Sequence, residues 1–156
     1  MYVSARLDYG LRVLVMLARQ PDLPVSATRL AEHLGVSVPY LLAAILNGLR
    51  HGDLVVREGG RQAGCRLARP AVDITVADVV SALHIRPVEV RGSGRPIDEV
   101  GTRLAAVWQR LDSATNDLLA SVSLADVAHG SVHLGIGKMG DRQESGPPRA
   151  PGSLAD

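Results

Sequence analysis

Three arginines are spaced through one glycine-rich stretch of the chain. Arg57, Arg61 and Arg66 lie in and beside residues 58–64, which include three glycines and one alanine. A guanidinium group stays charged and donates several hydrogen bonds in a planar fork, which suits phosphate oxygens and base edges. If the stretch is a hairpin turn, these groups reach an anionic groove such as the DNA minor groove. If it is an ordinary solvated loop, they have no such role.

The distribution of charge favours an anionic partner for the N-terminal half. Residues 1–70 carry nine arginines against five acidic groups, a net charge of +4, whereas residues 71–156 carry eight basic against eleven acidic groups, a net charge of −3. A local excess of arginine attracts phosphate. The overall net charge of +1 conceals this asymmetry.

Several classes of protein find no support in the sequence. The longest uninterrupted apolar run, residues 41–46, is too short to span a bilayer, and no signal segment is recognisable, so we expect a soluble cytoplasmic protein. The five histidines show no compact ligand spacing, and we expect no metal site. No paired carboxylates, catalytic triad or phosphate-cradling loop can be identified, which predicts that the chain is not an enzyme.

Helical spacing of apolar residues predicts a first helix from the N-cap Ser4 to about Arg19. Its predicted apolar face consists of Leu7, Leu11, Leu14, Leu17 and Ala18. Two prolines, Pro21 and Pro24, then end the helix.

Two further helices follow, separated by a very short turn. Ser26 is a good N-cap for the first of them, and Gly35 supplies the left-handed residue that ends it. Ser37 caps the next helix, which has Pro39 in its first turn, where a missing N–H costs nothing. The predicted buried stripe of that helix is Leu42, Ile45, Leu46 and Leu49. The arrangement predicts a helix-turn-helix.

From Leu54 onward the spacing of apolar residues is no longer helical. Residues 54–56 and 65–68 are predicted to form two strands around the flexible turn 58–64. A hairpin that directly follows a helix-turn-helix is a wing. The predicted fold class is therefore mainly helical, with a small β-hairpin wing.

The second half of the sequence predicts more helices. Thr75 and Asp78 form a capping box for a helix that ends near His84, and Ser123 and Asp126 repeat this pattern for a last short turn. A long helix is predicted between them, over residues 97–121. Its apolar positions are Val100, Leu104, Val107, Trp108, Leu111, Leu118 and Leu119.

A recognition helix must present polar side chains to base edges in the major groove. Tyr40, Asn47 and Arg50 are the best outward candidates, because Asn pairs with adenine, Arg with guanine or phosphate, and Tyr with phosphate or a thymine methyl. Ser37 and Thr28 could donate to phosphates at helix N-termini. Alternatively, Ser37 is only a cap and Tyr40 only a packing residue. The predicted DNA-contacting set is Thr28, Ser37, Pro39, Tyr40, Asn47, Arg50, Arg57, Arg61 and Arg66.

The order and spacing of several short motifs resemble one known family. These motifs are Tyr9-Gly10-Leu11-Arg12, the run from Leu30 to Ser37, the wing end Leu67-Ala68-Arg69-Pro70 and the run from Ile74 to Val79. Over about residues 1–129 the chain resembles the IscR/NsrR-like (Rrf-two type) family of winged helix-turn-helix transcription regulators.

The resemblance implies a homodimer on double-stranded DNA with a palindromic operator, and a long helix from each subunit at the dimer interface. In this sequence that interface would include Leu104, Val107, Trp108 and Leu111. It also implies a winged DNA-binding domain over residues 1–72 and a helical dimerisation segment over 73–130. Residues 131–156 are predicted to form a disordered tail, because they are rich in Gly, Pro, Ser and charge and have little to bury.

This sequence departs from the family pattern in three places. Many relatives bind an iron–sulfur cluster through three cysteines before the long helix, but residues 85–96 contain no cysteine, so we expect no such cofactor. Asp53 stands where relatives tend to have a helix-ending glycine. Cys65 stands where relatives have an aromatic residue; either it only fills that place, or Arg66 lowers its pKa and it takes part in redox chemistry.

The leading functional hypothesis is a sequence-specific transcription regulator, a repressor in its simplest form. Its effector, if it has one, is not specified by the sequence. The alternative is a protein-interaction module that keeps the winged fold but has lost operator recognition, because the outward face of the recognition helix has few polar groups and the wing is altered.

Overall fold

The computed structural model describes residues 4–60, 63–86 and 98–131. Within these residues the chain forms six helices, one antiparallel hairpin and a short 3-10 turn. In order they are α1 (Ala5–Ala18), α2 (Ala27–Leu34), α3 (Val38–His51), β1 (Val55–Glu58), β2 (Gly64–Leu67), the 3-10 turn (Ala71–Asp73), α4 (Val76–Ala82), α5 (Glu99–Ser121) and α6 (Leu124–His129). The predicted fold class is confirmed.

Helices α2 and α3 form the predicted helix-turn-helix, with their axes inclined by 107°. The Ser26 and Ser37 side chains accept hydrogen bonds from the backbone N–H groups of Arg29 and Tyr40, as their predicted capping roles require. Gly35 ends α2 with φ of +67°. No single described helix has the length and apolar composition to cross a membrane, and α2 and α3 meet that test only as a bent pair.

The middle of α3 is wound differently from an ideal α-helix. Its residues Leu41–Leu46 form a π-helical segment. Leu41 is fully buried, while Leu42 is 37% exposed, so the prediction that Leu42 belongs to the buried stripe is wrong. A π turn contains more residues than an α turn, which places Leu41 above the buried pair Ile45 and Leu46. The burial predicted for the other three stripe residues is confirmed.

Helix α1 is central, because it contacts α2, α3, α4, α6 and β2. Its buried face is rotated from the predicted one: Gly10 and Val13 are buried, whereas Leu11 and Ala18 are only partly buried. A Cβ on Gly10 would come within 2.7 Å of the Leu83 side chain on α4. Ser4 occupies the N-cap position, as predicted, but its side chain makes no capping hydrogen bond. The Ser4 carbonyl instead accepts from two backbone N–H groups of the first turn.

The hairpin is fixed to the helical core at one point of its second strand. Val25, which precedes α2, exchanges both backbone hydrogen bonds with Cys65, at 2.9 and 2.8 Å. Within the hairpin, Val55 pairs with Leu67 and Arg57 with Cys65. Gly64 is needed here, because a Cβ at this position would lie 2.9 Å from the Val25 carbonyl. The wing root is therefore held rigidly against the start of α2.

A single core contains residues from both sides of position 72. Leu14, Ile45 and Leu49 share it with Leu83 and Leu124, and all five are at most 1% exposed. The division at residue 72 therefore does not coincide with a division of the core.

The two predicted capping boxes, at Thr75–Asp78 and Ser123–Asp126, are confirmed. They lie side by side, because Thr75 and Ser123 form an antiparallel bridge. This bridge attaches the end of α5 to the core.

Helix α5 differs from every other long helix described. Asp98 caps it through a 2.6 Å hydrogen bond from the Gly101 N–H to its carboxylate. Over 23 residues it has no buried residue in the described structure. Leu119 packs partly against the core, but six other large apolar side chains are between 39% and 62% exposed, and they are Val100, Leu104, Val107, Trp108, Leu111 and Leu118. At about 100° per residue they lie within an arc of about 100°, and we call them the α5 stripe.

Candidate nucleic-acid interface

The outward face of α3 carries three of the predicted contact residues. Tyr40, Asn47 and Arg50 are all exposed, and with Ala43 they recur at intervals of three and four residues, which places them on one face. Opposite them, Ile45 and Leu49 anchor the helix in the core. This is the division that a recognition helix requires.

Hydrogen bonds within α3 orient the polar groups of this face. The Arg50 Nη2 atom donates to the Asn47 Oδ1 atom at 3.2 Å. The His51 ring nitrogen Nδ1 lies 2.7 Å from the Asn47 carbonyl oxygen. The guanidinium of Arg50 is thus held alongside Asn47, so the two side chains present a continuous polar edge.

Two tyrosines meet where α1 passes the start of α3. The rings of Tyr9 and Tyr40 are in edge-to-face contact, with centroids 6.3 Å apart and planes at 85°. Tyr40 remains 40% exposed, so it both packs and presents part of its surface, and the two interpretations of this residue are compatible. One helical turn earlier, the Arg6 Nε atom donates to the Ala44 carbonyl oxygen at 3.3 Å.

Sequence reasoning missed Arg6 and Tyr9 as residues that position α3. Their spacing of three on α1 was the available signal, because it places both on one side of that helix. What no spacing could show is that this side faces the π-helical segment of α3.

The wing contributes Arg57 to the same area. Arg57 pairs with Cys65 across the hairpin, and both residues line a groove of about 250 Å³ between the wing and α3. Asn47 and Arg50 line that groove from the α3 side. The structure therefore brings together three predicted residues that come from two separate elements.

Arg66 is not brought to this groove. It pairs with Val56 in the hairpin register, so its side chain projects from the opposite face to that of Arg57. There it forms an ion pair with Glu58, two residues along the partner strand from Val56. Arg61 lies outside the described residues, and its role stays a prediction.

Three predicted residues lie near helix N-termini on the surface. Thr28 is exposed in the first turn of α2, and Ser37 and Pro39 are exposed at the start of α3. The Ser37 hydroxyl accepts the Tyr40 N–H at 3.4 Å, which confirms its role as a cap. Its contact with phosphate stays a prediction.

Cys65 is buried, and burial raises the pKa of its thiol above the ordinary value, although the nearby charges of Arg57 and Arg50 oppose this effect. The expectation that Arg66 lowers this pKa is wrong, because Arg66 points to the other face of the hairpin. A thiol that stays protonated is a weak nucleophile. The structure favours the interpretation of Cys65 as a packing residue of the wing.

A helix-turn-helix with a basic wing and an exposed polar recognition face defines the class: this is a DNA-binding fold of the winged-helix type. Comparison with known proteins then specifies the family. Residues 3–130 match the Rrf2 family, described as iron-dependent transcriptional regulators. The chain belongs to the Rrf2 family of transcriptional regulators, and the expectation that it is not an enzyme is confirmed.

Individual relatives agree with this assignment. A protein of Mycobacterium tuberculosis strain H37Rv, named as an HTH-type transcriptional regulator, is 34% identical over 145 residues, covering 90% of this chain and 89% of that protein. The solved structure of T. potens IscR is 31% identical, covers 84% of this chain and 88% of its own, and superposes with a TM-score of 0.67. CymR, the global cysteine regulator of B. subtilis, is 28% identical over 83% of this chain and 98% of its own, with a TM-score of 0.66.

The donor set of this chain does not fit the iron–sulfur cluster that some family members carry. Such clusters are held by several cysteine thiolates. The sequence has one cysteine, and it is buried in the hairpin. Among the residues that the structure describes, no three His, Cys, Asp or Glu side chains are grouped so that they could hold a metal ion.

Proposed function

We propose that this chain is a homodimeric, sequence-specific regulator that represses transcription by occupying a palindromic operator in the cytoplasm. The observation that carries the proposal is the convergence of Asn47, Arg50 and Arg57 on one groove between the recognition helix and the wing. A purely structural hairpin would have no reason to bring a second guanidinium to the exposed face of α3.

The recognition helix supplies the base contacts in this proposal. Asn47 pairs with adenine and Arg50 with guanine, both in the major groove, while Tyr40 contacts a phosphate or a thymine methyl group. Ala43 lies between them on the same face, and its small side chain permits close approach to the bases.

Backbone contacts set the position of the protein on the duplex. Arg57 binds phosphate or the minor groove beside α3, and Thr28, Ser37 and Pro39 lie at helix N-termini where the dipole favours an anion. Arg61 and Arg66 belong to the proposal on sequence grounds alone. Of the wing arginines in the described residues, Arg57 is the one that lines the groove.

The α5 stripe is the proposed dimer interface. Leu104, Val107, Trp108 and Leu111 are its central members, and an exposed apolar face of this length favours a second copy of the same helix. A two-fold axis through the stripe relates two winged units, and a two-fold protein reads a palindromic site. Repression by occlusion then requires only operator occupancy.

The proposal is tested by selecting bound sequences from random duplex DNA with purified protein at two salt concentrations. We expect a palindromic motif whose binding weakens with salt. Arg50→Ala is expected to weaken operator binding by about 5- to 150-fold and to relax preference at one base position, because a bidentate base contact contributes about 1–3 kcal/mol.

A matched pair in the wing sharpens the test. Arg57→Ala is expected to lower affinity about tenfold for all sequences and to reduce the salt slope by about one, because one phosphate contact is lost. Arg66→Ala, on the opposite face of the same hairpin, is expected to change affinity less. Recovery of no motif, with binding that salt abolishes, would contradict operator recognition and favour the interaction-module alternative.

A further inference from the structure

The groove between α3 and the wing combines an apolar wall with two arginines. Its volume of about 250 Å³ is slightly below the usual range for drug-sized ligands and suits a smaller molecule. Leu42, Leu46 and Val55 form much of its wall, and they are apolar. Arg50 and Arg57 add two positive charges to this apolar wall.

We propose that this groove binds a small organic carboxylate and that binding of the carboxylate releases DNA. The carboxylate group would lie between the guanidinium groups of Arg50 and Arg57, and its apolar body would pack on Leu42, Leu46 and Val55. The release of DNA rests on the proposed function above, whereas binding of the carboxylate does not.

Charge complementarity selects the class of ligand. None of the described residues that line the groove is acidic, so the two guanidinium groups are not neutralised within it. Arg50 lines the groove from α3 and Arg57 lines it from the wing, so both charges face the same space. Guanidinium groups bind carboxylates through paired, charge-assisted hydrogen bonds.

The apolar wall excludes an inorganic anion as the best occupant. Phosphate or sulfate would satisfy the two arginines but would leave the Leu42 side chain, which is 37% exposed, in contact with water. An organic acid covers this side chain, and each buried methylene group adds to the free energy of binding. Leu42 was predicted to lie in the core, but it is exposed and lines the groove. A ligand in the groove would cover this exposed apolar side chain.

Competition with DNA follows from shared groups. A guanidinium that is paired with a carboxylate cannot at the same time bind a base edge or a phosphate. In a dimer with two grooves, affinity for the operator falls by the square of the factor one plus ligand concentration over its dissociation constant. At ten times that dissociation constant the expected loss is about 100-fold.

The direct test uses methyl-labelled full-length protein without DNA. Benzoate and hexanoate are titrated in parallel with benzamide and hexanamide, and NMR shifts of the Leu42, Leu46 and Val55 methyl groups are followed. We expect saturable shifts of these methyls with each acid and at least tenfold weaker binding of its amide. Arg57→Gln is expected to weaken acid binding at least tenfold, whereas Arg66→Gln, on the other face of the hairpin, leaves it unchanged.

The outcomes separate the two proposals. If neither acid shifts these methyls, or if amides bind as well as acids, the carboxylate site is overturned, while operator selection still stands or falls by itself. If the acids bind but do not lower affinity for a selected operator, competition with DNA is overturned. If the acids bind and no operator can be selected, the groove remains a carboxylate site and the proposed function fails.

Discussion

The winged core and helix α5 have similar apolar periodicity in the sequence but opposite surroundings in the structure. Leu14, Ile45 and Leu83 are completely buried, because helices of the same chain cover them. Leu104 and Leu111 on α5 are 48% and 43% exposed. The spacing of apolar residues in a sequence therefore shows which face of a helix is apolar. Only the packing in the structure shows what covers that face.

The largest expected effect tests what covers α5. Leu111→Asp places a charge in the α5 stripe, and an unpaired charge at an interface costs about 4 kcal/mol, so we expect the dimer dissociation constant to rise about 1000-fold. Light scattering over a dilution series measures it. The control is Gln109→Asp on the far side of α5, which should leave the dimer intact. A Leu111→Asp protein that remains as dimeric as the control would refute the stripe as the interface.

The next effect is confined to the core. Leu83→Ala should lower the free energy of unfolding by about 2–5 kcal/mol, because it leaves a cavity beside Gly10 and α1. Leu104→Ala on α5 should change it by less than about 0.5 kcal/mol. Both are measured by urea unfolding in the Leu111→Asp background, which removes assembly from the comparison. Equal losses for the two variants would mean that α5 is covered within its own chain.

Two glycines of the hairpin region, Gly64 and Gly59, lie in tightly packed and open surroundings respectively. Gly64→Ala should destabilise the protein by about 1–3 kcal/mol, because the new methyl group would clash with the Val25 carbonyl. At Gly59 a Cβ meets nothing within 4 Å, so Gly59→Ala should have an effect below about 0.5 kcal/mol. Thermal and urea unfolding report both. Tolerance of Gly64→Ala would show that the wing root is not held as described.

The smallest effect concerns backbone conformation. Asp53 ends α3 with φ of +53°, a left-handed conformation that glycine adopts without cost, so Asp53→Gly should stabilise the protein by about 0.5–1 kcal/mol. The reverse test is Gly35→Ala, which should destabilise by about 1 kcal/mol, since only the backbone opposes it. A loss of stability in Asp53→Gly would indicate that the Asp53 side chain itself contributes.

Local rules predicted much of this molecule because its short elements are governed by local contacts. Ser26, Ser37 and Thr75 were identified as caps from residue type and spacing, and each accepts the expected backbone hydrogen bond. Ser4 also occupies its predicted N-cap position, but its side chain makes no hydrogen bond to the first turn of α1. Asp53 was marked by family resemblance, and its positive φ explains why glycine suits that position.

The site was predicted less completely because its geometry depends on contacts between distant segments. In the π-helical segment of α3, Leu41 is buried and Leu42 is exposed. The residue spacing of an ideal α-helix predicts the reverse. Strand register decides that Arg57 lines the groove while Arg66 does not, because Arg57 pairs with Cys65 and Arg66 pairs with Val56 on the other face of the hairpin.

The attachment of α5 to the core links the twist of this protein helix to the orientation of the winged unit on DNA. Two backbone hydrogen bonds, from Val76 to Val122 at 2.9 Å and from Leu124 to Ile74 at 2.7 Å, fix the end of α5 on the winged unit. In the proposed dimer, one residue inserted between Leu111 and this attachment would rotate each winged unit by about 100°. The rotation is about the axis of α5, so it changes how the two winged units face the duplex, and we expect the variant to prefer a different spacing of operator half-sites.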